Sequence, residues 1–576
     1  MEIRGEIKAA VLEVLKSLNV DEKEIIFSSD LSHADFSTNV AMTTFHKLKE
    51  KFKNPLELAE YIANQLQKKV PNIDKIEALA PGFINFFLSR EYLISQLDHI
   101  ASSKNYGIGS SLKSQKIMLE FADPNPFKEF HIGHLRNIAL GESFARLMEF
   151  QGAELLRANY QGDVGMHVAK AIYGIYHLPL TIDDFKKLKH EGKIKSLGKA
   201  YATGAKAYEE DEKAKKEIAE INLKLYAGSD PDLNKLWEEG RKWSLEHFEG
   251  IYKRLGTKYD KYYFESQTAE PGRKIVLANI DNGIFEKHEG AMVFRGNHTR
   301  VFVTSEDLPA GRQGYATYEA KDLALAKLKY EDFKYDSSIV ITASEQEPYF
   351  KVVLEAMEKV LPELAKKTTH YAFGFVNLKD GKMSSRSGNV VAGEWLLNEA
   401  RKRLKSQFKR MDEETLEKVA VGAVKYSMLK FSRKSDITFS FEESISLEGN
   451  SGPYIQYTYA RTNSILAKKK GVILSKAKDP DSSSSTQNDK IAPEELLLLR
   501  LLIQFEEIVK DAQENFAPNT LANYLFELSQ AFNNFYQKHK VVGSEKEEFR
   551  LELASGVGQI LSTGLYLLGI EAPQKM

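Results

Sequence analysis

The chain of 576 residues contains no cysteine, which excludes disulfides and thiolate zinc sites and suits a reducing compartment. Long apolar runs are also missing. The longest, such as Leu496 to Leu499, fall far short of the roughly 20 residues that cross a bilayer. Charge of one sign is missing too: 80 Lys and Arg against 81 Asp and Glu leave −1, so any nucleic acid must be met by a local patch. The opening Met1-Glu-Ile-Arg-Gly-Glu-Ile7 is charged and has no signal-peptide core. There is no internal repeat. These absences point to a cytoplasmic protein of three or four domains that makes no membrane contact.

What is present divides the chain. Residues 1–108 read as an N-terminal α/β unit, with Asn54 capping and Pro55 starting a helix through Leu58, Ala59, Ile62 and Leu66. Pro81 to Leu88 reads as a strand after a turn, and Tyr106 to Ser111 as a linker. From Lys116 the pattern becomes strand (Ile117 to Ala122), loop, helix near His131, strand (Glu154 to Asn159), which is one unit of a parallel nucleotide-binding sheet. Further strands are predicted at Ser337 to Thr342 and Tyr371 to Val376, with a charged helical insertion at about 170–298 between the two halves. The fold class is therefore α/β, with a Rossmann-like catalytic domain over 109–394. Residues 395–576 read as all-helical, one face marked by Leu521, Leu525, Leu528, Phe532 and Phe535. Serine-rich Lys476 to Asn488 reads as a solvated loop.

Two segments carry chemistry. His131-Ile-Gly133-His134 places two imidazoles three apart on the first turn of a helix, whose N-terminus adds a partial positive charge, so both can face a triphosphate. Gly133 lets a ligand approach the backbone. Downstream, Asp380-Gly-Lys382-Met383-Ser384-Ser385-Arg386-Ser-Gly388 offers a point charge, hydroxyls and amides for phosphate oxygens in a pentavalent state. Taken alone, each segment is equally compatible with satisfied core histidines or a surface turn. In this order, each after a strand, they indicate carboxylate activation by ATP.

With these motifs the chain resembles the class I aminoacyl-tRNA synthetases, and among them the arginyl-tRNA synthetases. The HIGH signature is His131 to His134, and the KMSKS signature is Lys382 to Arg386. Ala34 to Ala41, Pro81 to Asn85, Asn159 to Gly165, Asn450 to Arg461 and the ending Gly569 to Met576 also resemble family segments. The resemblance implies ATP binding by His131, His134, Lys382 and Met383, with Gly133, Ser384 and Ser385 as further catalytic positions. It implies arginine binding by Asn125, Tyr318, Asp322 and Gln346, with Asp123 beside them. Planar carboxylate and amide partners suit a guanidinium. It also implies Mg²⁺ arriving with ATP, no protein-ligated metal, tRNA(Arg) as partner and a monomer. The N-terminal domain is expected at the outer corner of the tRNA and the helical domain at the anticodon.

Departures are local. Asp123 stands where the family usually has serine, Glu306 to Gly314 is longer than the usual turn, and Phe549-Arg550-Leu551 stands near the place of an Asp-Ala-Leu-Arg tetrapeptide. For RNA, Tyr454, Gln456, Tyr457 and Arg461 are the candidate contacts, with cationic Arg401 to Arg410 and Lys468 to Lys470 as phosphate patches. The rival readings are a class I synthetase for another amino acid and an inactive RNA-binding paralogue.

Overall fold

Phe86 is buried at the centre of the N-terminal unit, and the strands arrange themselves around it. The computed structural model describes residues 2–28, 31, 33–67, 69–103, 106–179, 182–305, 307–308, 312–379, 391–475 and 491–576. Helix α1 (Glu2–Ser17) precedes β1 (Phe27–Ser28) and β2 (Phe36–Thr38). Then come α2 (Val40–Thr44), α3 (Pro55–Leu66), β3 (Ile73–Leu79), β4 (Phe83–Leu88) and α4 (Arg90–Ser102). The strands form an antiparallel sheet in the order β1-β2-β4-β3. As expected, Asn54 caps α3, its Oδ1 accepting from the Glu57 amide at 2.9 Å. The segment after α4 is a packed joint: the Tyr106 ring is buried and stacks on Phe505 at 6.2 Å.

The central sheet begins with β5 (Lys116–Glu120), α5 (Ile132–Phe150) and β6 (Glu154–Gln161). A helical excursion follows as α6 (Met166–Tyr176), α7 (Ile182–Lys187), α8 (His190–Glu210), α9 (Glu212–Ala227) and α10 (Pro231–Leu255). It ends earlier than the sequence pattern indicates, because β7 (Lys261–Phe264) returns to pair in parallel with β6. Helix α11 (Glu265–Leu277) then leads to an antiparallel meander of β8 (Phe285–His288), β9 (Ala291–Arg295) and β10 (Thr299–Val303), and to the short pair β11 (Asp307–Leu308) and β12 (Arg312–Gln313). Helix α12 (Tyr318–Phe333), β13 (Ser337–Ala343), α13 (Glu347–Val360), α14 (Pro362–Ala365), β14 (Thr368–Phe373) and β15 (Val376–Leu378) complete this part.

The order β14-β13-β5-β6-β7 is parallel throughout, so successive strands run outward from β5 on one side and from β13 on the other. The reversal between β5 and β13 opens a crevice at their carboxyl ends, the usual ligand site of such sheets. The Asn137 side chain spans it, its Nδ2 donating to the Ile341 carbonyl at 2.9 Å.

The C-terminal part is helical: α15 (Gly393–Gln407), α16 (Glu413–Leu429), α17 (Phe441–Ser444), α18 (Gly452–Ser475), α19 (Pro493–Glu514), α20 (Pro518–Lys538) and α21 (Glu547–Leu567). Among its described residues one strand departs from the helical expectation, β16 (Ile437–Phe439), which pairs in parallel with β15. Leu521, Leu525, Leu528, Phe532 and Phe535 are all fully buried on α20. No described helix is long and apolar enough to cross a membrane.

Candidate active site

Helix α5 starts at the carboxyl end of β5, and its two histidines cap it reciprocally. The His131 Nδ1 accepts from the Gly133 amide at 3.1 Å, and the His134 Nδ1 accepts from the His131 amide at 3.1 Å. An accepting Nδ1 carries no proton, so both neutral rings hold theirs on Nε2. The rings stack at 3.7 Å. Burial, with Lys128 nearby, pulls the His131 ring down to about 4. Burial, then His131 and Lys128, holds His134 well below its usual value. The pair therefore offers hydrogen-bond donors and no charge, and the positive end at this place is that of the helix itself. Gly133 has a role the sequence did not reveal: a Cβ there would meet the His131 ring at 3.0 Å.

Beside this turn the backbone is strained. Ala122 and Asp123 take φ of 77° and 48°, and Phe127 takes 68°. Asp123 Oδ1 accepts from the Tyr160 amide at 2.8 Å and Asn125 Oδ1 from the Gly162 amide at 2.9 Å. Both side chains thus tie the loop to β6 and the residues after it. Burial, then Glu120, raises the Asp123 carboxyl well above its usual value.

Tyr318 and Asp322 lie on α12, where their spacing put them. Tyr318 is largely exposed, with the Lys321 ammonium 5.0 Å from its ring centre. Asp322 accepts from the Tyr349 hydroxyl at 2.5 Å. Burial pushes Asp322 up to about 8, Glu120 and Glu265 adding to the rise while Tyr349 and Lys329 oppose it. Gln346 closes the short turn before α13 and is exposed. Sequence reasoning missed the ionic frame beneath. Lys329 pairs with Glu120 at 2.9 Å, the side chains 3% and 5% exposed. Lys321 pairs with Glu265 at 2.6 Å and donates to the Tyr226 hydroxyl at 2.9 Å. The carboxyl groups of Glu120, Asp123, Glu265 and Asp322 outnumber the ammoniums of Lys128, Lys321 and Lys329 around them, and burial holds Asp123 and Asp322 toward the protonated form, so two carboxyl groups stand ready to ionise against an added cation. Glu120 was visible only as a lone charge ending an apolar strand.

Lys382, Met383, Ser384 and Ser385 lie outside the described residues. The chain on both sides of them is anchored to the histidine turn. Beyond residue 390, Ile132 donates to the Val391 carbonyl at 2.9 Å and Gly393 to the Phe130 carbonyl at 2.8 Å. Before residue 380, β15 is joined to α5 through Arg136, whose Nη1 donates to the Gly374 carbonyl at 2.6 Å.

In the helical part, Arg461 lies between the Tyr457 ring at 4.8 Å and the Tyr536 ring at 5.4 Å. Its Nη2 donates to the Tyr457 hydroxyl at 3.1 Å, and its Nη1 to Asn533. Tyr454 is half-buried against Phe526 at 5.7 Å. Gln456 corrects the sequence reading: it is fully buried, its Nε2 donating to the carbonyls of Lys418 at 3.1 Å and Glu571 at 2.7 Å. It holds the C-terminal tail and does not face RNA. The basic run on α15 is likewise engaged, Arg401 with Glu417 at 3.1 Å, Arg403 with Glu399 at 2.8 Å and Lys405 with Glu413 at 2.5 Å.

The comparisons agree along the whole chain. The family described as "tRNA synthetases class I (R), catalytic domain" matches residues 96–441. "Arginyl tRNA synthetase N terminal domain" matches 1–88, and "DALR anticodon binding domain" matches 455–576 although the tetrapeptide itself is absent. The chain is 30% identical to the arginine–tRNA ligase of Bacteroides thetaiotaomicron over 619 residues, covering 100% of both. It is also 30% identical to that of Parabacteroides distasonis over 608 residues, again covering 100% of both. Among solved structures, Thermus thermophilus arginyl-tRNA synthetase superposes with a TM-score of 0.79 at 26% identity, covering 100% of both chains. The Plasmodium falciparum arginyl-tRNA synthetase shares the fold at a TM-score of 0.76, 24% identity and 99% coverage of each chain.

Proposed function

The chain belongs to the arginyl-tRNA synthetases of class I and is an arginine–tRNA ligase that uses ATP, and from that premise we propose how its residues carry the two steps. In the first, the arginine carboxylate attacks the α-phosphorus of ATP, the bond to the bridging oxygen of pyrophosphate breaks, and arginyl-adenylate forms. In the second, a ribose hydroxyl of the terminal adenosine of tRNA(Arg) attacks the arginyl carbonyl, the bond to the adenylate phosphate breaks, and arginine passes to the tRNA as AMP leaves. Neither step needs an assigned general base; positioning and electrostatic stabilisation suffice.

His131 and His134 donate from Nε2 to phosphate oxygens, and Gly133 keeps the His131 ring in place. Lys128, close enough to depress both imidazoles, and Lys382 supply positive charge, with Met383, Ser384 and Ser385 completing the second signature. Asp322 takes the guanidinium, and Tyr318 and Gln346 border it. Asn125 shapes the loop at Gly162, and Asp123 stands nearest the substrate ammonium. Mg²⁺ would arrive on the phosphates of ATP. The observation that carries this reading is the two buried carboxyl groups, Asp123 and Asp322, beyond the Glu120–Lys329 and Glu265–Lys321 pairs; an added cation would ionise them, which fits a cationic amino acid.

Tyr454, Tyr457 and Arg461 meet the anticodon end of tRNA(Arg), while the N-terminal unit meets its outer corner. The protein works as a monomer in the cytoplasm. Asp322→Asn tests the pocket: the arginine KM is expected to rise about 100-fold with the ATP KM within about threefold. Equal loss for both substrates would remove Asp322 from the guanidinium site. Lys382→Ala is expected to lower the activation rate far more than arginine affinity.

A further inference from the structure

Tyr349 stands on the first turn of α13 and donates its hydroxyl to Asp322 Oδ2 at 2.5 Å. Among the described residues it is the one side-chain donor to that carboxyl. Burial, then the charge of Asp322, holds the phenol well above its usual value, so it stays a donor. The helix start that carries it is itself fixed. The next residue, Phe350, stacks on His370 of β14 at 4.1 Å, and the His370 Nε2 meets the hydroxyl of Thr342 on β13 at 2.8 Å. The phenol is thereby tied to two strands of the central sheet.

Behind Asp322 lies a small cavity, lined also by Glu120, Lys329, Phe350 and Thr368. Lys329 stands seven residues on along α12, about 10 Å deeper by the helical rise. Its ammonium pairs with Glu120 at 2.9 Å and is near enough to favour an ionised Asp322 as well. Glu120 and Glu265 disfavour that ionised form, and Asp322 in turn disfavours the charge of Asp123. Of the charged side chains around Asp322, Lys329 is thus the one that attracts its carboxylate. In the proposed function arginine enters at the carboxyl ends of the strands, the side on which α12 begins. A carboxylate that turned into the cavity would be neutralised by Lys329 and lost to the substrate. A hydrogen bond to an ionised group is among the stronger ones, and the Tyr349 hydroxyl supplies it on the other side.

We propose that Tyr349 is a positioning residue for arginine binding: its hydroxyl holds the Asp322 carboxyl toward the substrate and away from Lys329. This rests on the reading of Asp322 as the partner of the guanidinium.

ATP–pyrophosphate exchange with Tyr349→Phe, which removes the hydroxyl and keeps the ring, is the test. The arginine KM is expected to rise about tenfold, with kcat and the ATP KM within about threefold. Because Tyr349 acts through Asp322, the same substitution added to Asp322→Asn is expected to raise the arginine KM less than about threefold further. In a Glu120→Gln/Lys329→Met background no ammonium draws the carboxyl inward, and the cost is again expected to stay below about threefold. An unchanged arginine KM in Tyr349→Phe would overturn the proposal. An undiminished cost in either background, or a parallel rise of both KM values, would show a merely structural role and overturn it too. If the Glu120→Gln/Lys329→Met protein does not fold, the cycle with Asp322→Asn decides alone. A wild-type arginine KM in Asp322→Asn would instead refute the underlying reading.

Discussion

The imidazoles of His131 and His134 stack 3.7 Å apart, and each turns its Nδ1 inward to an amide of its own helix start. The arrangement makes them neutral and fixes their protons on Nε2. Two imidazoles that the sequence places on one helix turn, facing a triphosphate, are in the fold a pair of oriented donors.

Since burial holds His131 near 4 and His134 well below its usual value, neither ring titrates near neutrality. The pH profile of arginine activation is expected to show no histidine inflection between about pH 5.5 and 7.5. His134→Asn, which keeps an acceptor for the His131 amide and a donor beyond it, is expected to retain more activity than His134→Ala. The alanine variant also loses a cap worth about 1 kcal/mol. A rate that follows a pKa of about 6.5 and vanishes on removal of His134 would contradict the assignment.

Gly133→Ala places a Cβ 3.0 Å from the His131 Cε1 and Nδ1. The ring must shift and its bond to the Gly133 amide must lengthen. Activation is expected to fall about tenfold or more while thermal stability changes little, since alanine suits a helix start better than glycine. Kinetic measurement beside a melting curve separates the two effects. Unchanged kcat would show that the His131 ring position does not matter.

Asp322, pushed up to about 8 by burial, carries a proton in the empty pocket at neutral pH. A guanidinium binds the carboxylate form, so arginine binding expels that proton below about pH 8. Affinity is therefore expected to rise as pH increases toward 8 and to level off above it, by at most about tenfold per unit. Isothermal titration in buffers of different ionisation enthalpy measures both the slope and the released proton. A flat affinity over that range, or the same slope in Asp322→Asn, would contradict it.

Lys329 and Glu120 form a buried pair at 2.9 Å. Lys329→Met strands a carboxylate and is expected to cost about 3–5 kcal/mol, whereas adding Glu120→Gln returns much of it. Thermal unfolding of the single and double variants tests this, and strictly additive losses would argue against direct coupling.

How much of this was readable beforehand depended on how local the signal was. Asn54 before Pro55, the apolar strand before His131, and the spacing of Tyr318 and Asp322 report on neighbours in sequence, and the fold places them accordingly. β7 is only Lys261–Phe264 within a charged stretch, so its sequence alone groups it with the insertion, and the pairing with β6 places it in the central sheet. The β15–β16 pair, the Arg136–Gly374 hydrogen bond and the Glu120–Lys329 bond join residues far apart in sequence, and no periodicity encodes them. Gln456 matched a family segment, but only the packed bundle reveals that its amide turns inward to the Glu571 carbonyl.

The most direct test of the central claim is ATP–pyrophosphate exchange with the purified chain, one amino acid at a time, with and without tRNA(Arg). Exchange with arginine and with no other amino acid, followed by transfer of labelled arginine to tRNA(Arg), is the expected result. Exchange driven by lysine or another amino acid in place of arginine, or none even with tRNA present, would contradict it.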